Sequence, residues 1–99
     1  MTGMELEQIK IFAAAADAGS FSKAAARLYV SHSTVSRAVS ALERELGTRL
    51  FERDCRGVVP TRAGKALLEG GKALLAEADF LKQRVAEKGE KICTDTARR

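Results

Sequence analysis

Ninety-nine residues make one domain near the lower size at which a hydrophobic core closes without staples, burying about 60–65% of the unfolded surface. Two cysteines, Cys55 and Cys93, are too few and too far apart for a disulfide framework or a metal site, and no apolar run approaches the roughly 20 residues of a membrane span. The net charge of +4 matters through its placement: residues 1–61 hold eight basic and seven acidic side chains, yet no acid falls between Asp17 and Glu43.

That acid-free stretch carries Lys23, Arg27 and Arg37 among hydroxyls, a composition suited to a phosphate-rich partner. Free thiols and an N-terminus without a signal-peptide pattern make a reducing cytoplasm the expected setting, with no membrane contact.

A first helix is expected over 4–18. Leu6, Ile9, Phe12, Ala13 and Ala16 recur there at helical spacing, Glu5 and Glu7 suit the positive end of the helix dipole, and Gly19 stands at the C-terminal cap. A short second helix over 21–28, capped by Ser20 or Ser22, turns Phe21, Ala24, Ala25 and Leu28 inward, and its small alanines let another helix cross closely. Residues 29–31 form a tight connection, and Ser31 or Ser33 can accept from the free amides that start a third helix over 32–46. Val35, Val39, Leu42 and Leu46 step along one buried stripe of that helix; Ser33, Ser36, Arg37, Ser40 and Arg44 lie opposite, and Gly47 closes it. Two short helices joined by a three-residue turn, the second with a polar outer face, form a helix-turn-helix.

Leu50 and Phe51 then lead into a turn at residues 54–57, and Val58 and Val59 lead out of it. This pattern predicts a small two-stranded wing whose pairing stops at Pro60, which has no N–H for the ladder. Thr61 caps a long helix over 62–88, where Leu67, Gly71, Leu74, Ala78, Leu81 and Val85 alternate by four and three as a heptad seam. Gly70 and Gly71 each cost ~1 kcal/mol in a helix interior, a loss that close approach of a partner helix across the seam would offset. Leu68, Leu75 and Phe80 lie off the seam, against the domain or the partner. Residues 89–99 lack apolar periodicity and are expected to be a disordered tail. The fold class is thus mainly α: a winged helix-turn-helix of three helices and a two-stranded wing (1–61), then a long dimerisation helix (62–88).

The ordered strings "AGSFSKAAARL" (18–28), "VSHSTVSRAVSALERELG" (30–47), "RLFER" (49–53) and "PTRAG" (60–64) resemble the N-terminal DNA-binding domain of LysR-type transcriptional regulators, and the helix over 62–88 fits that family's linker helix. The resemblance implies bacterial transcription regulation by sequence-specific binding of double-stranded operator DNA. It implies a homodimer paired through antiparallel linker helices on an inverted repeat, and a tetramer where the full protein carries a sensor domain. The recognition helix 32–46 would enter the major groove, and the wing over 50–60 would lie on the backbone or minor groove. Whole members carry a larger domain that senses a small-molecule co-inducer. A chain ending at Arg99 has no room for one, so it is expected to be either a DNA-binding domain parted from its sensor or a naturally short relative.

By the same resemblance, base contacts come from positions 32, 33, 36 and 37. Ser33, Thr34 and Ser36 are small enough for close approach, and Arg37 can grip guanine O6 and N7 with two parallel hydrogen bonds. The blander roles for Arg37 are a phosphate contact or a pair with Glu45. His32 stands where the family commonly has glutamine, which shifts base preference. Glutamine reads adenine bidentately, whereas an imidazole offers one donor or acceptor per ring nitrogen. The alternative for His32 is an exposed helix-start residue without a base contact. Ser22, Lys23 and Ser31 are expected at phosphates, where hydroxyls and helix-start amides bind well, and Ser40 completes the outer face of the helix. Arg53 and Arg56 flank the wing tip and suit an adjacent backbone or minor groove, with Arg53 alternatively paired to Glu52 or Glu43.

No cofactor, metal or enzymatic site is expected, because one histidine, two distant cysteines and no Gly-rich loop or paired carboxylates leave nothing to assemble. Cys55 is taken as an incidental thiol. Two alternatives stand beside the DNA-binding reading: a helical protein-interaction and dimerisation module acting through 62–88, and a winged-helix regulator of the molybdate-responsive type.

Overall fold

Side-chain caps set the helix limits. A computed structural model describes residues 4–89 in the order α1 (Leu6–Ala18), α2 (Phe21–Leu28), α3 (His32–Leu46), β1 (Phe51–Asp54), β2 (Gly57–Pro60) and α4 (Arg62–Lys88). The tail expected beyond Gly89, with Cys93, lies outside the described residues. Helix α1 starts two residues later than the apolar pattern suggests, because Glu5 is its N-cap and donates its N–H to the Gln8 side chain at 3.1 Å. Ser20, not Ser22, caps α2 by accepting from the Lys23 N–H at 3.1 Å. Ser31, not Ser33, caps α3 by accepting from the Thr34 N–H at 3.1 Å. Between these two helices Tyr29 takes the left-handed conformation (φ 58°) and lets the chain turn back within three residues.

The core sits where α1, α2 and α3 meet, centred on Phe12, Val35 and Leu42, and the wing closes it with Leu50, Phe51 and Val58, while Ile9 is buried where α1 faces α4. The Phe51 ring packs tilted 5.0 Å from Phe12 and edge-on 5.6 Å from Phe21, the latter an arrangement that aromatic quadrupoles favour. Two expected core positions are corrected. Leu6 and Leu46 are exposed, each at an end of its helix and outside the core cluster. Ile11, Ala15 and Ala38 are buried instead. Helix α1 meets α2 and α3 as well as α4, so it buries more of its circumference than one stripe.

Strands β1 and β2 pair antiparallel from Phe51↔Pro60 to Asp54↔Gly57, which leaves Cys55 and Arg56 as the loop. The Asp54 carboxylate accepts from the N–H groups of Arg56 (2.8 Å) and Gly57 (3.1 Å). At φ 142° Gly57 holds a backbone shape that L side chains rarely adopt, and a Cβ there would strike the Gly19 carbonyl. That closeness lets the Val58 N–H donate to the same carbonyl at 3.1 Å, so the wing is tied to the end of α1. At the base of the wing, the Leu50 N–H donates to the Glu43 carboxylate at 2.8 Å. The Thr61 hydroxyl donates to the Arg49 carbonyl at 2.7 Å and accepts from the Gly64 N–H at 3.0 Å, which starts α4. Helix α4 lies on α1, where Lys72 pairs with Asp17 at 3.1 Å.

Candidate nucleic-acid interface

The first turn of α3 is where the expected base-reading residues begin. Ser31 uses its hydroxyl on the Thr34 N–H and lies 2.9 Å from the Thr34 hydroxyl, so those two side chains are engaged in starting the helix. From there His32, Ser33, Arg37 and Ser40 are exposed along α3, while Thr34 and Ser36 are half-buried. Among the described residues Arg37 forms no ion pair with Glu45. Eight residues along a helix span about 12 Å, too far for that contact.

Ser22, His32, Arg53 and Arg56 come together. They line one cleft of about 350 Å3 between the start of α2, the start of α3 and the wing, shared with Ser20, Phe21 and Asp54. Asp54 is the one carboxylate lining the cleft, and it faces the turn amides. The cleft therefore presents two guanidinium-bearing residues and an imidazole beside hydroxyls. Lys23 is exposed on α2 next to Ser22.

Arg53 does not pair with Glu43 or Glu52 among the described residues. Glu43 is taken up by the Leu50 amide, and the Arg53 guanidinium lies 5.2 Å over the centre of the Phe21 ring, within cation–π range. The same ring stands 6.0 Å from the His32 imidazole. Sequence reasoning placed Phe21 in the core and missed this second contact surface. Nothing in helical spacing signals it, because the ring meets Arg53 only once the wing folds over α2.

The expected seam on α4 divides. Leu67 packs against the core of its own chain, and Gly71 is buried against Ile9 of α1. Within the chain, then, Gly71 is covered by α1 and Leu67 is only half-buried. Ala78 is half-buried in a groove with Leu6, Lys10 and Leu75. Leu74, Leu81 and Val85 are 46%, 60% and 62% exposed. Phe80, off the stripe, is also exposed and lies under the Arg84 guanidinium at 5.8 Å.

Among the described residues no group of three or more His, Cys, Asp or Glu is placed to hold a metal ion, and no helix is long and apolar enough to cross a membrane.

Residues 6–65 match the family model described as a bacterial regulatory helix-turn-helix protein of the lysR family. The HTH-type transcriptional regulator TfdT of Cupriavidus pinatubonensis is 43% identical over 89 residues, covering 88% of this chain and 39% of that protein. ClcR of Pseudomonas putida, also an HTH-type transcriptional regulator, is 42% identical over 89 residues, covering 88% of this chain and 30% of that one. Among solved structures, the CbnR DBD–DNA complex is similar with a TM-score of 0.81 at 42% identity, over 85% of this chain and 97% of that one. The complex of the BenM DBD with benA site 1 DNA has a TM-score of 0.82 at 32% identity, over 87% of this chain and all of the other. The chain thus spans well under half the length of the curated relatives it matches.

Proposed function

The chain belongs to the lysR family of bacterial regulatory helix-turn-helix proteins, and from that premise we propose that it binds double-stranded DNA sequence-selectively to regulate transcription. The observation that carries the reading is the cleft where Ser22, His32, Arg53 and Arg56 meet, beside an α3 face on which His32, Ser33, Arg37 and Ser40 are exposed and no acid intervenes between residues 18 and 42. Hydroxyls allow close approach and cations neutralise phosphates, a combination that rewards a polyanion.

In this reading α3 enters the major groove with its first turns foremost. Arg37 reads a guanine edge, and His32, Ser33 and Ser36 lie against neighbouring base edges with Thr34 behind them. Ser22, Lys23, Ser31 and Ser40 meet phosphates, which fix register without reading sequence. Arg53 and Arg56 lay the wing on the adjacent backbone or minor groove. Residues 1–61 form the DNA-reading unit and 62–88 the arm that pairs two copies. Leu74, Ala78, Leu81 and Val85 meet the partner's equivalent helix, and the two-fold symmetry calls for an inverted-repeat site. The setting is the bacterial cytoplasm, where the DNA is, and the role is binding rather than catalysis, in keeping with the names of the relatives.

A fluorescence titration on duplex DNA across a salt series tests this. Steep salt dependence with a sequence preference is expected. A chain that stays dimeric yet binds no duplex at low salt would favour a helical interaction module acting through α4.

A further inference from the structure

One buried ring supports both the wing and the start of α3. Phe21 is almost wholly buried, with Phe51 set edge-on at 5.6 Å, so the core fixes its orientation. On the side facing the cleft it carries the Arg53 guanidinium at 5.2 Å and the tilted His32 imidazole at 6.0 Å. Arg53 comes from β1 and His32 from the first residue of α3, and among the described residues neither forms a hydrogen bond or an ion pair that would hold it otherwise.

A long arginine and an exposed imidazole are free to sample rotamers unless something packs against them, and a site is selective only when its contact groups are held in place. An aromatic ring attracts a guanidinium through its quadrupole and gives a tilted imidazole a surface to pack against. We propose that Phe21 is a positioning residue for DNA recognition, setting the wing's Arg53 and the recognition helix's His32 from one ring, so that the wing contact and the base contact are coupled. This rests on the DNA-binding reading above.

The test uses the full chain and sites selected with it from a random duplex pool. His32→Ala first marks the base pair at which preference falls. Phe21→Leu, which keeps an apolar side chain in the core, is then expected to cut preference at that same pair about tenfold. It should also lower the salt slope by about one, as loss of one phosphate contact does, and leave preference at the pair read by Arg37 intact. A uniform loss on all sequences with unchanged ratios means that Phe21 is structural only, and overturns the proposal. Should thermal melting find Phe21→Leu unfolded, the exposed pair decides through a double-mutant cycle. The affinity losses of His32→Ala and Arg53→Ala are expected to depart from simple multiplication by threefold or more in the double variant, and independent, multiplying losses overturn the coupling. A base pair unmoved by His32→Ala overturns it too. Wild-type chain that binds no duplex at low salt instead removes the DNA-binding reading itself.

Discussion

Ile9 of α1 leaves no room for a side chain at Gly71 of α4: a Cβ at position 71 would stand 2.8 Å from the Ile9 Cγ2. Ile9 is β-branched, stiff at χ1 and 2% exposed, so it has little freedom to yield. The adjacent Gly70 has nothing within 4 Å of its own Cβ position. Two neighbouring glycines in one helix are thus expected to answer the same substitution with opposite signs. Gly70→Ala should stabilise by about 1 kcal/mol, the helix-propensity difference. Gly71→Ala gains the same term but meets an overpacking cost of about 1–3 kcal/mol, and should destabilise. Denaturant unfolding of both variants checks this, and a stabilised Gly71→Ala would mean that α4 does not lie on α1 as described.

Glu43 fastens the end of α3 to the wing through the half-buried Leu50 N–H. Glu43→Ala leaves that amide without its acceptor and should cost about 1–3 kcal/mol. Glu43→Gln retains an acceptor oxygen and should lose less. Equal losses in the two variants, measured by thermal unfolding, would show that the side chain's charge rather than its hydrogen bond matters.

Arg37 is exposed on α3 without an ion pair among the described residues. Arg37→Ala is expected to cost about 1–3 kcal/mol on the preferred site and to relax preference at one base pair. Competition binding against single-base variants of the site reads this out. A loss equal on every sequence would make Arg37 a phosphate contact.

Leu74 is 46% exposed on α4. Leu74→Glu should separate the proposed dimer into monomers while leaving the helix-turn-helix folded, because its side chain is outside the buried core. Sedimentation measures the mass, and an unchanged dimer would move the interface elsewhere on the chain.

How much of this was legible in advance depends on the range of the forces involved. Helices α2, α3 and α4 occupy the spans that caps and periodicity predict, since Ser20, Ser31 and Thr61 act on amides three residues away. The wing was readable because a turn flanked by apolar pairs is a local pattern, and Pro60 ends the ladder as expected. The misplacements lie where one element meets another. Leu6 and Leu46 continue their stripes in sequence, yet both remain exposed, Leu6 at the rim of a groove against α4. Gly71 belongs to an unbroken heptad pattern, yet it lies against Ile9 of α1, a contact that spacing alone does not reveal.

The sequence alone therefore determined the limits of α2, α3 and α4, the helix-turn-helix and its polar outer face, because each is written in residues within a turn or two of one another. Only the tertiary structure decided which residues share a surface. It brought Arg53 of β1 and His32 of α3 onto the ring of Phe21, and it divided the α4 stripe into an inward part and an exposed part. Those outcomes depend on how the wing and α4 dock against α1 and α2. Docking is settled by side-chain volume and close packing between distant segments, which no local spacing records.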